Sequence, residues 1–338
     1  MSITRRQKHE RGADNSEFSQ SFQQNIKKDI LALRQHLISM GLYKELQDIK
    51  KPILLRSLLD VMTDWVIIFV AFVIYEHLGI VSLPVVLVVV GNRQRALGNL
   101  LHEASHYNFG DNKSLADWVS TLLVALPLFS PLYRYRELHN SHHRYLGRPS
   151  GDVDLIEGIF KSDACWYQMF FWQVCSFKVW WGSTFGLIPQ VNTISRMKIF
   201  TWWISFLLIL GYVTSMEFSI TFLLVWVFAR ATTFHLITVF REISDHGGLM
   251  PGNIIDFTRN NPTQGVLRMI FHPHNNGYHL AHHLDPSIPY FAFPKAHKLL
   301  MSWSRYAEAE HCDGYFSGSN PVILSWEKST KQVWPNSI

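Results

Sequence analysis

Polar residues dominate the first 50 positions, and from there apolar residues gather into blocks separated by short polar links. Residues 1 to about 30 are polar and mixed in charge, a composition that reads as a mobile tail because it buries too little apolar surface. Between Ile26 and Gly41 the apolar residues fall at helical spacing, which predicts an amphipathic helix on a membrane surface or on the protein itself. Four later blocks approach the roughly 20 apolar residues that carry a helix across a bilayer. They are Leu58–Tyr75, Val81–Leu101, Thr201–Val213 with its flanks, and Phe218–Phe240. A fifth block, Leu115–Leu132, holds Pro127 and Pro131 between polar borders and reads as a short re-entrant or in-plane hairpin. The stretch CWYQMFFWQVCSFKVWW, Cys165–Trp181, is rich in the amphipathic rings that settle at headgroup depth.

Charge orients these blocks. Eleven Lys and Arg lie in residues 1–56, and none lies in the links Glu76–Ile80 and Thr214–Glu217. Positive charge stays on the cytoplasmic side, so the termini and the long central connection are expected there and the two bare links outside. The expected fold is therefore an all-α integral membrane protein. It has about four transmembrane helices in two hairpins, with a cytoplasmic helical cap. Three parts follow: a polar tail with a surface helix at 1–50, a membrane domain at 51–300, and a C-terminal cytoplasmic tail at 301–338. No apolar run follows the early basic residues before position 50, which argues against a secretory signal.

Composition supports the membrane reading. Apolar residues make up 48% of the chain and charged residues 17%, against about 25% charged in soluble proteins. The formal charge of +5 is not gathered on any nucleic-acid-binding motif, so no nucleic acid partner is expected. Three cysteines, Cys165, Cys175 and Cys312, are odd in number and lack metal-binding spacing.

Histidine is the outlier, with 17 residues distributed in clusters. His102 and His106 follow the second apolar block, His139, His142 and His143 form HNSHH, and His279, His282 and His283 form HLAHH after the fourth. At this histidine content the pattern His-x-x-His-His is expected about 0.04 times by chance, and it occurs twice. Positions i, i+3 and i+4 share a helix face, so each cluster turns its imidazoles one way. Imidazole suits zinc, copper, iron and nickel, and spacing alone does not name the metal. Taken by itself, NLLHEASHYNF (99–109) matches the His-Glu-x-x-His helix of zinc proteases, with Glu103 as general base. Catalytic zinc needs only three protein ligands, however, and eight imidazoles divide naturally over two metals. Glu103 then becomes a hydrogen-bond partner that orients an imidazole.

The three boxes, in this order relative to the apolar hairpins, resemble those of the integral-membrane fatty acid desaturase and hydroxylase superfamily, from about Asp60 to His297. YRYRELHNSHHRYLGRPSGDVD is similar to the segment around that family's second box, including an Asp-x-Asp beyond it. HNNGYHLAHHLDPSIPYFAFPKAH is similar to the third box with its proline loop, and FREISDHGG resembles an Arg-x-x-x-(Glu/Asp)-His element. The resemblance implies a centre of two iron ions held by His102, His106, His139, His142, His143, His246, His279, His282 and His283. It further implies oxygen-dependent desaturation of an acyl chain or acyl-lipid in the membrane. Electrons would come from an external ferredoxin- or cytochrome-type donor, since the chain shows no flavin, dinucleotide, iron–sulfur or fused-haem motif. A hydroxylase, or a desaturase of an amino-acid derivative or terpenoid, is the alternative within the superfamily, since box one is His-Glu rather than the commoner His-Asp. A membrane zinc metalloprotease is the alternative outside it.

Other residues carry expectations too. His235 reads as a packing histidine, His297 as structural, and His272, His274, Asn275 and Asn276 as neighbours of the ligands. Arg93 and Arg95 are costly at membrane depth unless paired. Each either snorkels or pairs with an acidic neighbour, or else receives a substrate carboxylate or phosphate.

Overall fold

The amphipathic pattern near the N-terminus forms helix α1 (23–39), which buries Ile26, Asp29, Leu33 and Leu37 along one stripe. The computed structural model describes residues 23–148, 151–155 and 164–330, so residues 1–22 of the polar tail lie outside the described residues, while its expected end, 23–30, is already part of α1. Asp29 accepts hydrogen bonds from the backbone N–H of Ile254 and Ile255 and pairs with Arg305 at 2.9 Å, which ties α1 to the far end of the chain.

Three helical runs are long and apolar enough to cross a membrane: Leu54–Ser105, Thr193–Val213 and Met216–His246. The first consists of α2 (Leu54–Leu78) and α3 (Leu83–Ser105), joined by a 3-10 turn at Gly79–Ser82. Gly79 sits at φ +64°, where a side chain would be strained, and the chain reverses there. Asp64, before that turn, and Arg93, after it, form an ion pair at 2.8 Å. The run is thus a hairpin, as expected for the first two apolar blocks.

Helix α4 (Leu132–Tyr145) carries the second histidine cluster. The second hairpin joins α5 (Thr193–Val213) to α6 (Met216–Ala229), with Ser219 Oγ donating to the Leu207 carbonyl at 2.7 Å. From α6 the chain passes through a π-turn at Arg230–Phe234 into α7 (His235–His246). Trp65 of α2 stacks on Trp226 of α6 with ring centroids 5.3 Å apart, which packs the two hairpins together. At Gly91 the backbone of α3 meets the π-turn so closely that a Cβ would lie 2.1 Å from Thr233 Oγ1. Small residues allow such approaches between apolar helices. Outward-facing side chains on these helices are large and apolar, among them Val66, Val70, Val85, Ile209, Leu224 and Phe228. Lipid is the solvent that suits such a face.

The block Leu115–Leu132 departs from its expected hairpin. It is one helix, Lys113–Ser120, running into a π-turn at Thr121–Ala125 and ending where Phe129 takes φ +56°. The Asn112 side chain caps its start, and Trp65 Nε1 donates to the Leu123 carbonyl at 2.9 Å, so the segment is held against α2. The aromatic stretch forms two short helices, Trp166–Cys175 and Phe177–Thr184, with Tyr167, Phe171, Phe177 and Trp181 exposed. Towards the C-terminus Tyr315, Val322 and Trp326 are buried with Val239, Phe240 and Ile243 of α7 in a second apolar cluster. Among the described residues no β-strand occurs, only isolated bridges such as Asn260–His311.

Candidate metal centre

Four helix ends converge on one place. Helix α3 delivers His102 in its last turn and His106 just beyond it, and α4 delivers His139, His142 and His143. Helix α7 ends at His246, and α8 (His279–Leu284) carries the remaining three. The structure brings all nine sequence-selected histidines together in two groups. His102, His106, His139, His143 and His282 form one, and His142, His246, His279 and His283 form the other, with ring nitrogens in each within 4.8 Å of one another. Each His-x-x-His-His box therefore serves both groups. Its i and i+4 members point together, while one member of the adjacent pair turns to the other side.

The donor set fits a bound cation. His283 Nε2 lies 3.2 Å from His142 Nε2 and 3.0 Å from His279 Nε2, and His246 Nε2 lies 2.9 Å from His279 Nε2. In the other group His143 Nε2 lies 3.0 Å from His139 Nε2 and 2.9 Å from His282 Nε2. A ring nitrogen offers one proton or one lone pair, so a nitrogen facing two others cannot satisfy both. Buried His102 Nε2 and His106 Nε2 have no hydrogen-bond partner at all. Ligands held about 2.0–2.1 Å from one ion have nitrogens at just such spacings. Each group could hold a metal ion.

Electrostatics favours the neutral, ligating form. Burial, then the neighbouring rings, pushes His139, His143, His279, His282 and His283 far below the usual imidazole value, and burial takes His106 to about 3. His142 is the exception. Burial lowers it too, but the Asp152 carboxylate outweighs that and the net shift is upward.

The outward nitrogens show what orients the rings. His142 Nδ1 meets Asp152 Oδ1 at 2.7 Å, and Asp152 is fixed in turn by the Gly147 and Asp154 backbone N–H groups. His246 Nδ1 donates to the Phe257 carbonyl at 2.9 Å. Glu103 lies 3.4 Å from His102 Nδ1 and accepts from the Tyr290 backbone N–H at 2.9 Å, so its carboxylate braces the third-box loop. Such partners fix the tautomer and raise ligand basicity.

Other histidines fall outside the groups. His235 bonds to Ser183 and the Val174 carbonyl, and His297 bonds to the Tyr306 hydroxyl, both packing roles. His272 bridges Tyr315 and Asp245, and His274 pairs with Asp64 at 2.8 Å. Asn276 accepts from Arg241, and Asn275 bonds Arg268 and the Tyr290 carbonyl. Sequence reasoning assigned no role to Asp64 or Tyr290, whereas Asp245 is the acidic residue of the FREISDHGG element. Only the intramembrane position of Asp64 was a usable signal.

Apolar helical hairpins that bury two polyhistidine groups at their ends define a membrane-type protein equipped to hold metal. The family model for fatty acid desaturases matches residues 78–315, which include all nine of these histidines. The chain belongs to that family and is an oxidoreductase. It is 25% identical to dihydrorhizobitoxine desaturase of Bradyrhizobium elkanii over 282 residues, 75% of this chain and 79% of the relative. It is also 36% identical to sn-1 oleoyl-lipid 12-desaturase of Arthrospira platensis, over 66 residues that span 20% of this chain and 18% of that relative.

Proposed function

We propose that the two histidine groups hold two iron ions and that the protein is an oxygen-dependent desaturase. The observation that carries this reading is the division of nine histidines into two separate sets of ring nitrogens. The ligands would be His102, His106, His139, His143 and His282 on one side and His142, His246, His279 and His283 on the other. A reduced iron pair supplies dioxygen activation strong enough to oxidise an unactivated C–H bond. Overall, a CH2–CH2 unit, O2, two electrons and two protons give a CH=CH unit and two waters.

The chain's own residues supply position and environment. Asp152, Glu103 and the Phe257 carbonyl hold rings in orientation, and burial keeps water from the reacting carbons. The surrounding apolar hairpins suit an acyl chain or acyl-lipid entering from the bilayer. A ferredoxin- or cytochrome-type donor would deliver electrons from the cytoplasmic side, where the positive-inside pattern puts the termini and the site.

A second reading, a small metabolite as substrate, is favoured by the comparisons. The similarity to the desaturase of dihydrorhizobitoxine runs over 75% of the chain, whereas that to the lipid 12-desaturase covers 20%. The zinc protease alternative gains nothing from the site, because Glu103 is engaged by the Tyr290 backbone.

Metal quantification on the full-length protein, with mass spectrometry of products formed under air, tests the proposal. About two irons per chain and oxygen-dependent loss of two hydrogens are expected. One zinc per chain would overturn the reading, and gain of one oxygen would make the protein a hydroxylase.

A further inference from the structure

Asp64 is a carboxylate placed where charge is costly. It lies about 15 Å along α2 from Leu54, inside an apolar run, and is 1% exposed. One of its oxygens accepts from Arg93 Nη1 at 2.8 Å, so Arg93 is paired within the protein. The other oxygen meets His274 Nε2 at 2.8 Å, across 210 residues of sequence.

His274 has an uncommon backbone. It takes φ +55° and Asn275 takes φ +56°, two adjacent non-glycine residues in the left-handed region. Such strain persists only where surrounding contacts impose it. Asn92 of α3 donates to the Met269 and Ile270 carbonyls at 3.1 and 2.8 Å, serving acceptors that the short helix Val266–Phe271 leaves open at its end. Seven residues further along the same face of α3, Asn99 accepts from Arg95 at 2.7 Å and donates to the Pro273 carbonyl at 2.8 Å. Those bonds dock the backbone up to Pro273. Asp64 then holds the next side chain, His274, whose ring lies edge-on to Tyr290 with centroids 5.5 Å apart.

The strained pair leads directly into α8. The Tyr278 N–H donates to the Asn275 carbonyl at 3.2 Å and the Asn261 N–H to the Gly277 carbonyl at 2.6 Å. A Cβ on Gly277 would lie 2.5 Å from the Asn261 carbonyl oxygen, so the chain has no slack on that side. A shift at His274 is therefore passed to His279, His282 and His283. The same turn reaches box one, because Asn275 donates to the Tyr290 carbonyl at 3.1 Å and the Tyr290 N–H donates to Glu103 at 2.9 Å.

We propose that Asp64 is a positioning residue for the metal centre: by holding His274 in its strained conformation, it sets where α8 presents its three histidines. The inference rests on the reading that the histidine groups hold metal. It adds a residue of α2, a helix that carries none of the nine histidines. Neutralisation of Arg93 alone would need no bond to His274.

Cobalt(II) titration of the full-length, chelator-stripped protein in detergent, followed by absorbance, tests this without turnover. Hydrogen exchange on the same metal-free samples reads the loop itself. Asp64→Asn keeps the shape of the side chain and weakens both of its bonds. Cobalt affinity should fall about tenfold, the low end of what partners of metal ligands contribute. The visible bands of bound cobalt should shift, and amides from 274 to 284 should exchange faster while those of α4 and α7 do not. His274→Asn tolerates the left-handed backbone but loses the Asp64 bond, and it should reproduce all three changes. Combining the two should cost nothing further, as expected for two ends of one interaction. Wild-type affinity and spectrum in either single variant overturns the proposal, as do losses that add in the double variant or faster exchange throughout the protein. If Asp64→Asn fails to fold, His274→Asn decides alone. Absence of cobalt binding by the wild type would overturn the metal reading instead, and exchange in the variants would still decide whether Asp64 holds the loop.

Discussion

The two histidine groups are built differently. The group of four is oriented by short bonds to fixed acceptors: Asp152 on His142 at 2.7 Å and the Phe257 carbonyl on His246 at 2.9 Å. The group of five has only longer contacts of this kind, Glu103 on His102 at 3.4 Å and Asp154 on His139 at 3.9 Å. Each group also keeps one buried Nδ1 without a partner, His282 in the group of five and His279 in the group of four. The smaller set is held by anchoring and the larger by number. Edge-on packing of the rings supports both groups, as between His106 and His139 at 4.8 Å and between His246 and His279 at 4.7 Å.

Removing one ligand from each side should break this symmetry with the largest effect. His142→Ala leaves three histidines in the group of four and discards the Asp152 anchor, so turnover should vanish and iron should fall from about two per chain towards one. His106→Ala leaves four histidines in its group and should retain more metal. Iron quantification beside a turnover assay checks both; equal metal loss in the two variants would remove the distinction between anchoring and number.

A smaller effect separates the anchors. Asp152→Asn keeps the shape but weakens the bond to His142, and outer partners of this kind typically contribute about 10–100-fold in metal affinity. Glu103→Gln should cost less, because its contact with His102 is longer and an amide still accepts from the Tyr290 backbone N–H. Competitive chelator titration ranks the two. A larger loss in Glu103→Gln would mean that the group of five depends on anchoring after all.

Much of this difference was beyond the reach of the sequence. The helix faces that carry His139, His142 and His143 were legible because i, i+3 and i+4 spacing is a local property. Legible too were the first hairpin, from its apolar blocks, and the stripe of α1, from its period. Which imidazole joins which group depends on how α3, α4, α7 and α8 meet, and no local pattern encodes that. The Leu115–Leu132 block holds one helix and not a hairpin of its own, because Pro127 and Pro131 lie between its end and the start of α4. Asp64 lies deep in an apolar block, yet its partners Arg93 and His274 stand 29 and 210 residues away. The packing of Trp326 and Tyr315 against α7 likewise arises between segments distant in sequence.

The smallest expected effect concerns pH in the metal-free protein. Burial holds His106 at about 3 in the folded state, and its neighbours His139, His143 and His282 are pushed far down as well. An unfolded imidazole titrates near 6.5, so between that value and the folded one the unfolded chain binds more protons. The stability due to these groups is therefore complete above about pH 6.5 and is lost progressively as pH falls towards 3. His142 runs the other way. Its raised value makes its contribution complete below the unfolded value and lost as pH rises through the folded one. The group of five should thus drive acid sensitivity, while the group of four carries a partial counterweight in the Asp152 pair. Thermal melts of chelator-stripped protein should fall by several degrees from pH 7.5 to 5.5. The fall should be shallower in His106→Ala and steeper in Asp152→Asn, and identical slopes in the two variants would show that the groups do not differ in this respect.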